Sequence, residues 1–211
     1  TSFGSGFRIA MRDLEIRGAG NVLGAQQHGH MEAVGYDMYL RLLGEAIAEQ
    51  KGEAPERTSA ECMVDLNIGA HIPESYIKGL SQRIDVYKKI AAIQNKDDAF
   101  DVTDELIDRF GDPPKAVQGL IDVALVRGRA AALGIREIAQ RDQGMFLYPE
   151  RVDMTLASGL ASTLKGRVMV GASGQKPYYL VRPKAGQNPI AAIEEALAAM
   201  ESALPAPVAG N

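Results

Sequence analysis

The residues of this chain that are best suited to bind an anion lie between positions 8 and 29. Arg8 and Arg12 share a helix face because four positions separate them, and Arg17 follows at the predicted end of the same helix. A guanidinium fork can hold two phosphate oxygens, and the amide of Gln27 can both donate and accept a hydrogen bond. Glycines let the backbone approach a ligand without a Cβ in the way, and they stand here at Gly18, Gly20, Gly24 and Gly29. This pattern indicates a clamp on a phosphate backbone, or an arginine that senses nucleotide across a cleft.

A plain structural interpretation explains the same residues. Asp13 and Arg17 are spaced as an i,i+4 pair, which stabilises an exposed helix by only about 0.3–0.5 kcal/mol. An arginine near the C-terminus of a helix also interacts favourably with the helix dipole. Composition and spacing alone favour this structural role over the clamp.

Other chemistries have weaker patterns. The run DELID at 104–108 is similar to an acidic magnesium-binding box, but it continues a helical period. No G-x-x-x-x-G-K-[ST] loop occurs in the chain, and GASGQKP at 171–177 lacks both the spacing and the Ser or Thr. His28 and His30 have no neighbouring cluster that would complete a metal shell. We therefore expect neither catalysis nor a bound cofactor or metal within this sequence.

The overall composition limits the kind of partner. The chain has 211 residues, a formal net charge of −4 and a pI of about 5.5. That charge argues against a domain wrapped in nucleic acid, because phosphate binding needs a concentrated positive surface. The single cysteine, Cys62, excludes an internal disulfide and fits a reducing cytoplasm. No apolar run approaches the ~20 residues that cross a bilayer.

Hydrophobic spacing divides the chain into two zones. Apolar residues at helical spacing predict helices over 6–16 and 31–50, with a polar, glycine-rich loop between them. The polar segment 51–58 predicts a linker. We therefore expect one structural segment over 1–50 and a second domain over 59–211. Because a structured segment begins close to Thr1, we interpret the chain as part of a longer protein.

The second domain is predicted to be α/β (α+β), with helices early and short antiparallel strand pairs late. Gly111 is expected to end one helix, and Asp112 with two following prolines to begin the next. Aromatic residues in the late strands could stack on bases, although alternating apolar strand residues usually belong to a core; they are Phe146, Tyr148, Tyr178 and Tyr179. The predicted elements are a strand at 62–68, helices at 74–94, 97–110, 113–134, 157–165 and 189–203, and strand pairs at 135–140 with 145–149 and 167–171 with 178–182.

Residues 6–30, GFRIAMRDLEIRGAGNVLGAQQHGH, resemble the translocation motif shared by RecG-type helicases and the transcription-repair coupling factor family. That motif reads D-L-x-x-R-G-x-G-x-x-L-G-x-x-Q-x-G. The matching positions are Asp13, Leu14, Arg17, Gly18, Gly20, Leu23, Gly24, Gln27 and Gly29. The resemblance implies a helical hairpin beside a motor lobe that couples ATP hydrolysis to movement along duplex DNA. It nominates Arg17 and Gln27 as principal functional residues and Arg12 as a weaker candidate.

The second zone favours the coupling factors over RecG. The stretches RIDVYKKIA at 83–91 and ELIDRFGDPPKAVQGLIDVALVRGRAAALGI at 105–135 resemble the C-terminal domain of that family, which RecG lacks. The resemblance implies an autoinhibitory domain that packs against the domain recruiting the UvrA repair protein and is released at stalled RNA polymerase. ATP and magnesium would bind elsewhere in the parent protein. Two alternatives remain: a stand-alone nucleic-acid-binding module, and a small metabolic α/β enzyme.

Overall fold

The structure, a computed structural model, describes residues 62–206. Over this range the chain divides into two compact units. The first spans Val64–Leu125, and the second contains residues 62–63 and continues from Val126. The predicted segment 1–50 and the linker 51–58 lie outside the described residues, as does the end of the tail at 207–211.

The first unit is largely helical. Strand β1 (Met63–Asp65) begins in the second unit, and its last two residues belong to the first. The first unit then contains helices α1 (Leu80–Ala91) and α2 (Lys96–Phe110). Helix α3 (Lys115–Ala132) begins in the first unit and ends in the second. The hydroxyl of Tyr87 accepts a hydrogen bond from the backbone N–H of Ile72 at 2.9 Å, so the buried phenol is satisfied inside this core. The core residues are Ala70, Ile72, Ile77, Val86, Tyr87, Ile90, Ile93, Ala99, Leu106, Val117, Leu120, Ile121 and Ala124.

Two predicted elements of this unit are shorter than their sequence patterns. Strand β1 ends at Asp65 although apolar alternation continues to residue 68. The helix predicted over 74–94 begins only at Leu80, because Gly79 has extended backbone angles and precedes it as the N-cap. The guanidinium of Arg83 donates to the carbonyl oxygens of Ile77 and Lys78, at 2.8 and 2.9 Å. These carbonyls are therefore satisfied by a side chain instead of by a helix.

The second unit combines a sheet with two helices. Its elements are β2 (Ile135–Arg141), β3 (Gly144–Pro149), α4 (Met154–Leu164), β4 (Val168–Ser173), β5 (Lys176–Val181) and α5 (Pro189–Ala203). The sheet order is β1-β2-β3-β5-β4, so β4 forms one edge. The pairs β2–β3, β3–β5 and β5–β4 are antiparallel. The predicted α/β class, with two late antiparallel strand pairs, is confirmed.

Local caps explain where the helices of this unit begin. The side chain of Asp153 accepts hydrogen bonds from the N–H groups of Thr155 and Leu156, so α4 starts three residues before the predicted 157. Asn188 accepts from the N–H of Ile190 and precedes Pro189, as predicted for the final helix. Met145, Leu147, Tyr179 and Val181 on the sheet and Leu160, Ile193 and Leu197 on the helices are all buried in this unit.

Candidate interaction surface on helix α2

The sequence-predicted motif lies outside the part of the chain that the structure describes. Its residues therefore have no assigned positions, and their roles stay predictions; they are Arg12, Asp13, Arg17, Gly18, Gly20, Gly24, Gln27 and Gly29. Between residues 62 and 206, no group of three His, Cys, Asp or Glu side chains is arranged to hold a metal ion. No helix described in that range is long and apolar enough to cross a membrane.

Helix α2 contains the 104–108 segment, as its helical period predicts, and it is defined at both ends by local hydrogen bonds. At its start, Asn95 Oδ1 accepts from the N–H of Asp98 at 2.9 Å, and the carboxylate of Asp98 accepts from the N–H of Gln94 at 2.9 Å. At its end, Gly111 has a φ of 85°, in the left-handed region that glycine adopts readily. The helix therefore has fixed limits, and the side chains on its surface have a defined spacing.

One side of α2 packs into the core of the first unit. Ala99 and Leu106 are buried, and Val102 and Phe110 pack against the same cluster. Beside that buried side, Glu105 accepts two hydrogen bonds from Lys89 of α1, at 2.7 and 2.6 Å. These contacts orient α2 against α1 and leave its opposite side facing outwards.

The outward side carries two large apolar residues. Phe100 is 70% exposed and Ile107 is 45% exposed. Seven positions separate them, which is about two helical turns, so they lie above one another on one face. Both residues belong to the apolar spacing that predicted a helix over 97–110, and the structure places them on the exposed side of that helix. An exposed phenylalanine beside another exposed apolar residue is typical of an interaction surface.

Four aspartates run alongside these apolar residues at alternating spacings of four, three and four. Asp97, Asp101, Asp104 and Asp108 are all exposed, and none makes a hydrogen bond or ion pair to another residue between 62 and 206. Like charges four apart on a helix destabilise it by roughly 0.2–0.5 kcal/mol per pair. Asp108 also lies in the last turn, where the helix dipole disfavours a negative charge. Asp97 lies in the first turn, where the helix dipole favours a negative charge, whereas Asp101, Asp104 and Asp108 do little for the stability of α2. We call Phe100, Ile107 and the four aspartates the acidic-apolar face.

The aromatic residues of the late strands separate into two environments. Tyr179 is buried in the second unit, and its hydroxyl accepts a hydrogen bond from the N–H of Asp153 at 3.1 Å. Burial raises the pKa of the Tyr179 phenol, and the hydrogen bond with the backbone of Asp153 opposes part of this rise. The core role predicted for such residues is confirmed for Tyr179.

Phe146, Tyr148 and Tyr178 lie half-buried on the other side of the sheet. The rings of Phe146 and Tyr178 meet edge to face with 5.0 Å between centroids, and Phe146 stacks on Tyr148 at 6.0 Å. The ammonium of Lys176 lies 4.0 Å from the centroid of the Tyr148 ring. Since the rings contact one another and a lysine covers one of them, the cluster is packed as a structural unit and offers little open ring surface for a base.

The surface on α2 is the feature that sequence reasoning missed. The signal was present, because the positions of Phe100 and Ile107 on a helical wheel fall next to the four aspartates and away from Leu106. Helical spacing of apolar residues shows which residues share a face. It does not show whether that face meets the core of the same chain or another molecule.

Comparison with known proteins shows what kind of chain this is. Residues 66–156 match the family model of the TRCF domain. The transcription-repair-coupling factor of Staphylococcus aureus strain USA300 is 41% identical over 174 residues, which is 82% of this chain and 14% of that protein. The protein of the same name from Bacillus subtilis strain 168 is 39% identical over 175 residues, which is 83% of this chain and 14% of that protein. The chain thus spans about a seventh of the length of these relatives.

A solved structure agrees with these sequence matches. The crystal structure of the C-terminal domain of a transcription-repair coupling factor superposes with a TM-score of 0.58 and 25% sequence identity, covering 70% of this chain and 94% of that chain. The fold and the matches together define a homologue of bacterial DNA-repair proteins. In particular, this chain is homologous to transcription-repair coupling factors, and the solved structure that it resembles is the C-terminal domain of one of them.

Proposed function

We propose that this chain is a segment of an ATP-dependent DNA translocase that acts in transcription-coupled nucleotide excision repair in the cytoplasm. In this proposal, residues 1–50 couple ATP hydrolysis to movement along duplex DNA, and residues 59–211 form an autoinhibitory protein-interaction domain. ATP and magnesium bind to another part of the parent protein. The partners of that protein are duplex DNA, stalled RNA polymerase and the UvrA repair protein.

The acidic-apolar face of α2 is the observation that carries the autoinhibitory part. Its exposed ring and its uncompensated aspartates suit a protein partner with basic side chains around an apolar depression. A phosphate backbone would be repelled by the same four carboxylates. We propose that this partner is the UvrA-recruiting domain of the same protein. The contact then covers the surface that recruits UvrA, and binding to stalled RNA polymerase breaks the contact.

Charge reversal on α2 tests this contact in the full-length protein. Asp104→Lys combined with Asp108→Lys replaces attraction to a basic partner with repulsion, which changes the contact by about 1–2 kcal/mol. We expect DNA-stimulated ATP hydrolysis and UvrA binding, both measured without RNA polymerase, to rise roughly fivefold or more, which is the factor that this free energy gives. Helix α2 itself should stay folded, since Asp108 opposes the helix dipole.

A matched control reverses two exposed aspartates elsewhere. Asp85 on α1 and Asp142 in the turn between β2 and β3 are exposed and make no ion pair with other residues of the described range. The combination of Asp85→Lys and Asp142→Lys gives the same change in net charge and should leave both readouts unchanged. Equal activation by the two double variants would show that net charge, and not the α2 contact, is responsible.

The translocation motif has its own test in the full-length protein. Arg17→Ala or Gln27→Ala should retain ATP hydrolysis but lose movement along DNA, measured as displacement of a stalled RNA polymerase. Arg41→Ala is the matched control, because Arg41 lies in the predicted helix over 31–50 and outside the motif. Unchanged polymerase displacement by the Arg17 and Gln27 variants would remove these residues from the proposed role.

Two measurements on residues 1–211 distinguish the proposed function from the alternative, a stand-alone nucleic-acid-binding module. We expect this chain to show no DNA-stimulated ATP hydrolysis, since its sequence contains no phosphate-binding loop of the G-x-x-x-x-G-K-[ST] type. We also expect weak binding to duplex DNA at low salt, where electrostatic binding is strongest. Micromolar or tighter binding would favour the alternative.

A further inference from the structure

Strand β4 forms an edge of the sheet in the second unit. It pairs on one side with β5 in continuous antiparallel register from Val168 opposite Val181 to Ser173 opposite Lys176. No strand between residues 62 and 206 pairs with its other side. A strand edge of this kind presents backbone donors and acceptors that another extended chain can use.

The hydrogen-bonding pattern identifies which backbone groups point outwards. The N–H of Arg182 donates to the carbonyl of Arg167 at 2.7 Å, so this pair is hydrogen-bonded across the ladder. Antiparallel pairs alternate between hydrogen-bonded and non-hydrogen-bonded positions. The N–H and C=O groups of Val168, Val170 and Ala172 are therefore directed away from β5, towards the open edge.

The features that usually protect an edge strand are missing from β4. Its sequence, VMVGAS, contains no charged residue and no proline, and its pairing register with β5 has no bulge. Met169 is 45% exposed and Val170 is 46% exposed. Consecutive strand residues point to opposite faces, so an added strand would find apolar surface on both sides.

Positive side chains outnumber carboxylates near the start of β4. Residues 154–193 contain no Asp or Glu, in a chain with a net charge of −4. At the start of β4, one carboxylate, Glu195, is shared by Arg167 and by Lys184 at 3.8 Å. Lys165 and Arg182 are exposed and make no ion pair with any residue in the described range. The start of β4 is therefore flanked by Lys165 in sequence and by Arg182 across the ladder, and neither of these cations is paired with Glu195.

We propose that the β4 edge binds an extended, acidic peptide segment of another protein by strand addition. The peptide backbone pairs with Val168, Val170 and Ala172, and apolar side chains on the two faces of the peptide lie against Met169 on one face and Val170 on the other. Carboxylates of the peptide lie near Lys165 and Arg182. This site is separate from the acidic-apolar face of α2 and does not depend on the function proposed above.

Charge and chemistry favour this occupant over two others. A second copy paired antiparallel through β4 would place Lys165 and Arg182 against the hairpin end, where Glu137 is already paired with Lys176 at 2.8 Å and leaves no free carboxylate to receive them. A nucleic acid would use the cations, but it lacks the regular N–H and C=O groups that match a strand edge, and β4 itself has no aromatic residue for stacking.

The test uses residues 1–211 and a labelled eight-residue peptide of alternating valine and threonine with three aspartates at one end. Binding is followed by fluorescence anisotropy. Val170→Pro removes an outward N–H without disturbing the β4–β5 ladder and should weaken binding by about tenfold, the factor given by one lost hydrogen bond with its partner left unpaired. Val170→Thr keeps the N–H and the shape and should bind as the unmodified chain does.

The electrostatic part is tested with the same peptide. Lys165→Glu together with Arg182→Glu should weaken binding by about fivefold or more, and salt should reduce the affinity of the unmodified chain in the same direction. The matched control, Lys78→Glu with Lys96→Glu, changes the net charge equally in the first unit and should have little effect. Equal losses from the two pairs would overturn the assignment of the acidic end.

Amide hydrogen exchange gives a readout on the unmodified chain, so the proposal stays testable even if Val170→Pro unfolds. Peptide binding should protect the amides of Val168, Val170 and Ala172, and it should not change those of Met169 and Gly171, which already face β5. Protection elsewhere, or unchanged binding by a folded Val170→Pro variant, would overturn the proposal. So would a dimer of this chain that Val170→Pro dissociates, or an oligonucleotide that binds more tightly than the peptide and is insensitive to that variant.

Discussion

The hydroxyl of Tyr76 donates a hydrogen bond of 2.7 Å to the carbonyl oxygen of Gly111. This bond joins the turn before α1 to the residue at which α2 ends. The Tyr76 ring also meets Phe110 edge to face, with 5.9 Å between centroids. Because the acidic-apolar face depends on where α2 ends and how it is held, the Tyr76–Gly111 contact is expected to matter for that surface as well as for stability.

Tyr76→Phe should lower the free energy of unfolding by about 1 kcal/mol, because the hydroxyl is removed while the carbonyl of Gly111 remains. The measurement is urea unfolding of residues 1–211 at neutral pH. Tyr148→Phe is a suitable control, since the Tyr148 ring takes part in stacking but its hydroxyl has no hydrogen-bond partner in the described range.

Tyr76→Phe should also change how the free energy of unfolding depends on pH. Burial, and secondarily the negative charge of Asp112, raises the pKa of Tyr76 above its ordinary value of 10.0. The folded state therefore favours the neutral phenol, and this contribution is fully present below pH 10.0 and is lost as the pH rises through the folded-state pKa. The unmodified chain should lose more stability above pH 10 than Tyr76→Phe does. Parallel pH profiles would show that the phenol does not titrate with folding.

Gly111→Ala should destabilise the first unit by about 1–3 kcal/mol, because its φ of 85° and ψ of −173° lie in a region that only glycine adopts readily. The cause would be backbone strain alone, since no heavy atom lies within 4 Å of the added Cβ. Gly69→Ala is the matched control, because its Cβ also enters open space and its φ is not in that region. Thermal unfolding of both variants gives the comparison, and an equal shift of the two melting temperatures would contradict it.

Glu195→Gln should alter the acid sensitivity of the second unit. Hydrogen bonds from Arg167, and then from Gln187, lower the pKa of Glu195 below its ordinary value of 4.5. A depressed folded-state pKa stabilises the fold above pH 4.5, and this contribution is lost as the pH falls through the lower value. The pair is partly exposed, so the effect should be no more than about 1 kcal/mol.

The measurement is the free energy of unfolding between neutral pH and the acid transition. The unmodified chain should lose more stability than Glu195→Gln below pH 4.5, and the two curves should be parallel above it. Glu150→Gln is the control, because Glu150 also pairs with an arginine, Arg136, but its side chain is 59% exposed, compared with 24% for Glu195. A larger acid effect from Glu150→Gln than from Glu195→Gln would contradict the assignment.

Much of the local structure could be predicted because the signals are local. Gly111 ends α2 and Asn188 with Pro189 begins α5, since both depend on the backbone preferences of the residues themselves. The start of α1 could not be predicted from helical spacing, because Arg83 satisfies the carbonyls of Ile77 and Lys78 from six and five positions away. The domain limits and the motif roles remain predictions, since they lie in or depend on residues before 62.

The sequence by itself determined the α/β class, most helix limits and two strand pairs, together with the motif resemblance of residues 13–29. Only the tertiary structure decided that Phe100 and Ile107 face outwards, that Tyr179 is buried while Tyr178 is not, and that β4 lies at an edge. The physical reason is that hydrophobic period fixes which side chains share a face, whereas packing between distant segments decides which face is covered. A helix or strand therefore shows its pattern in the sequence, and its open surface appears only once its neighbours are in place.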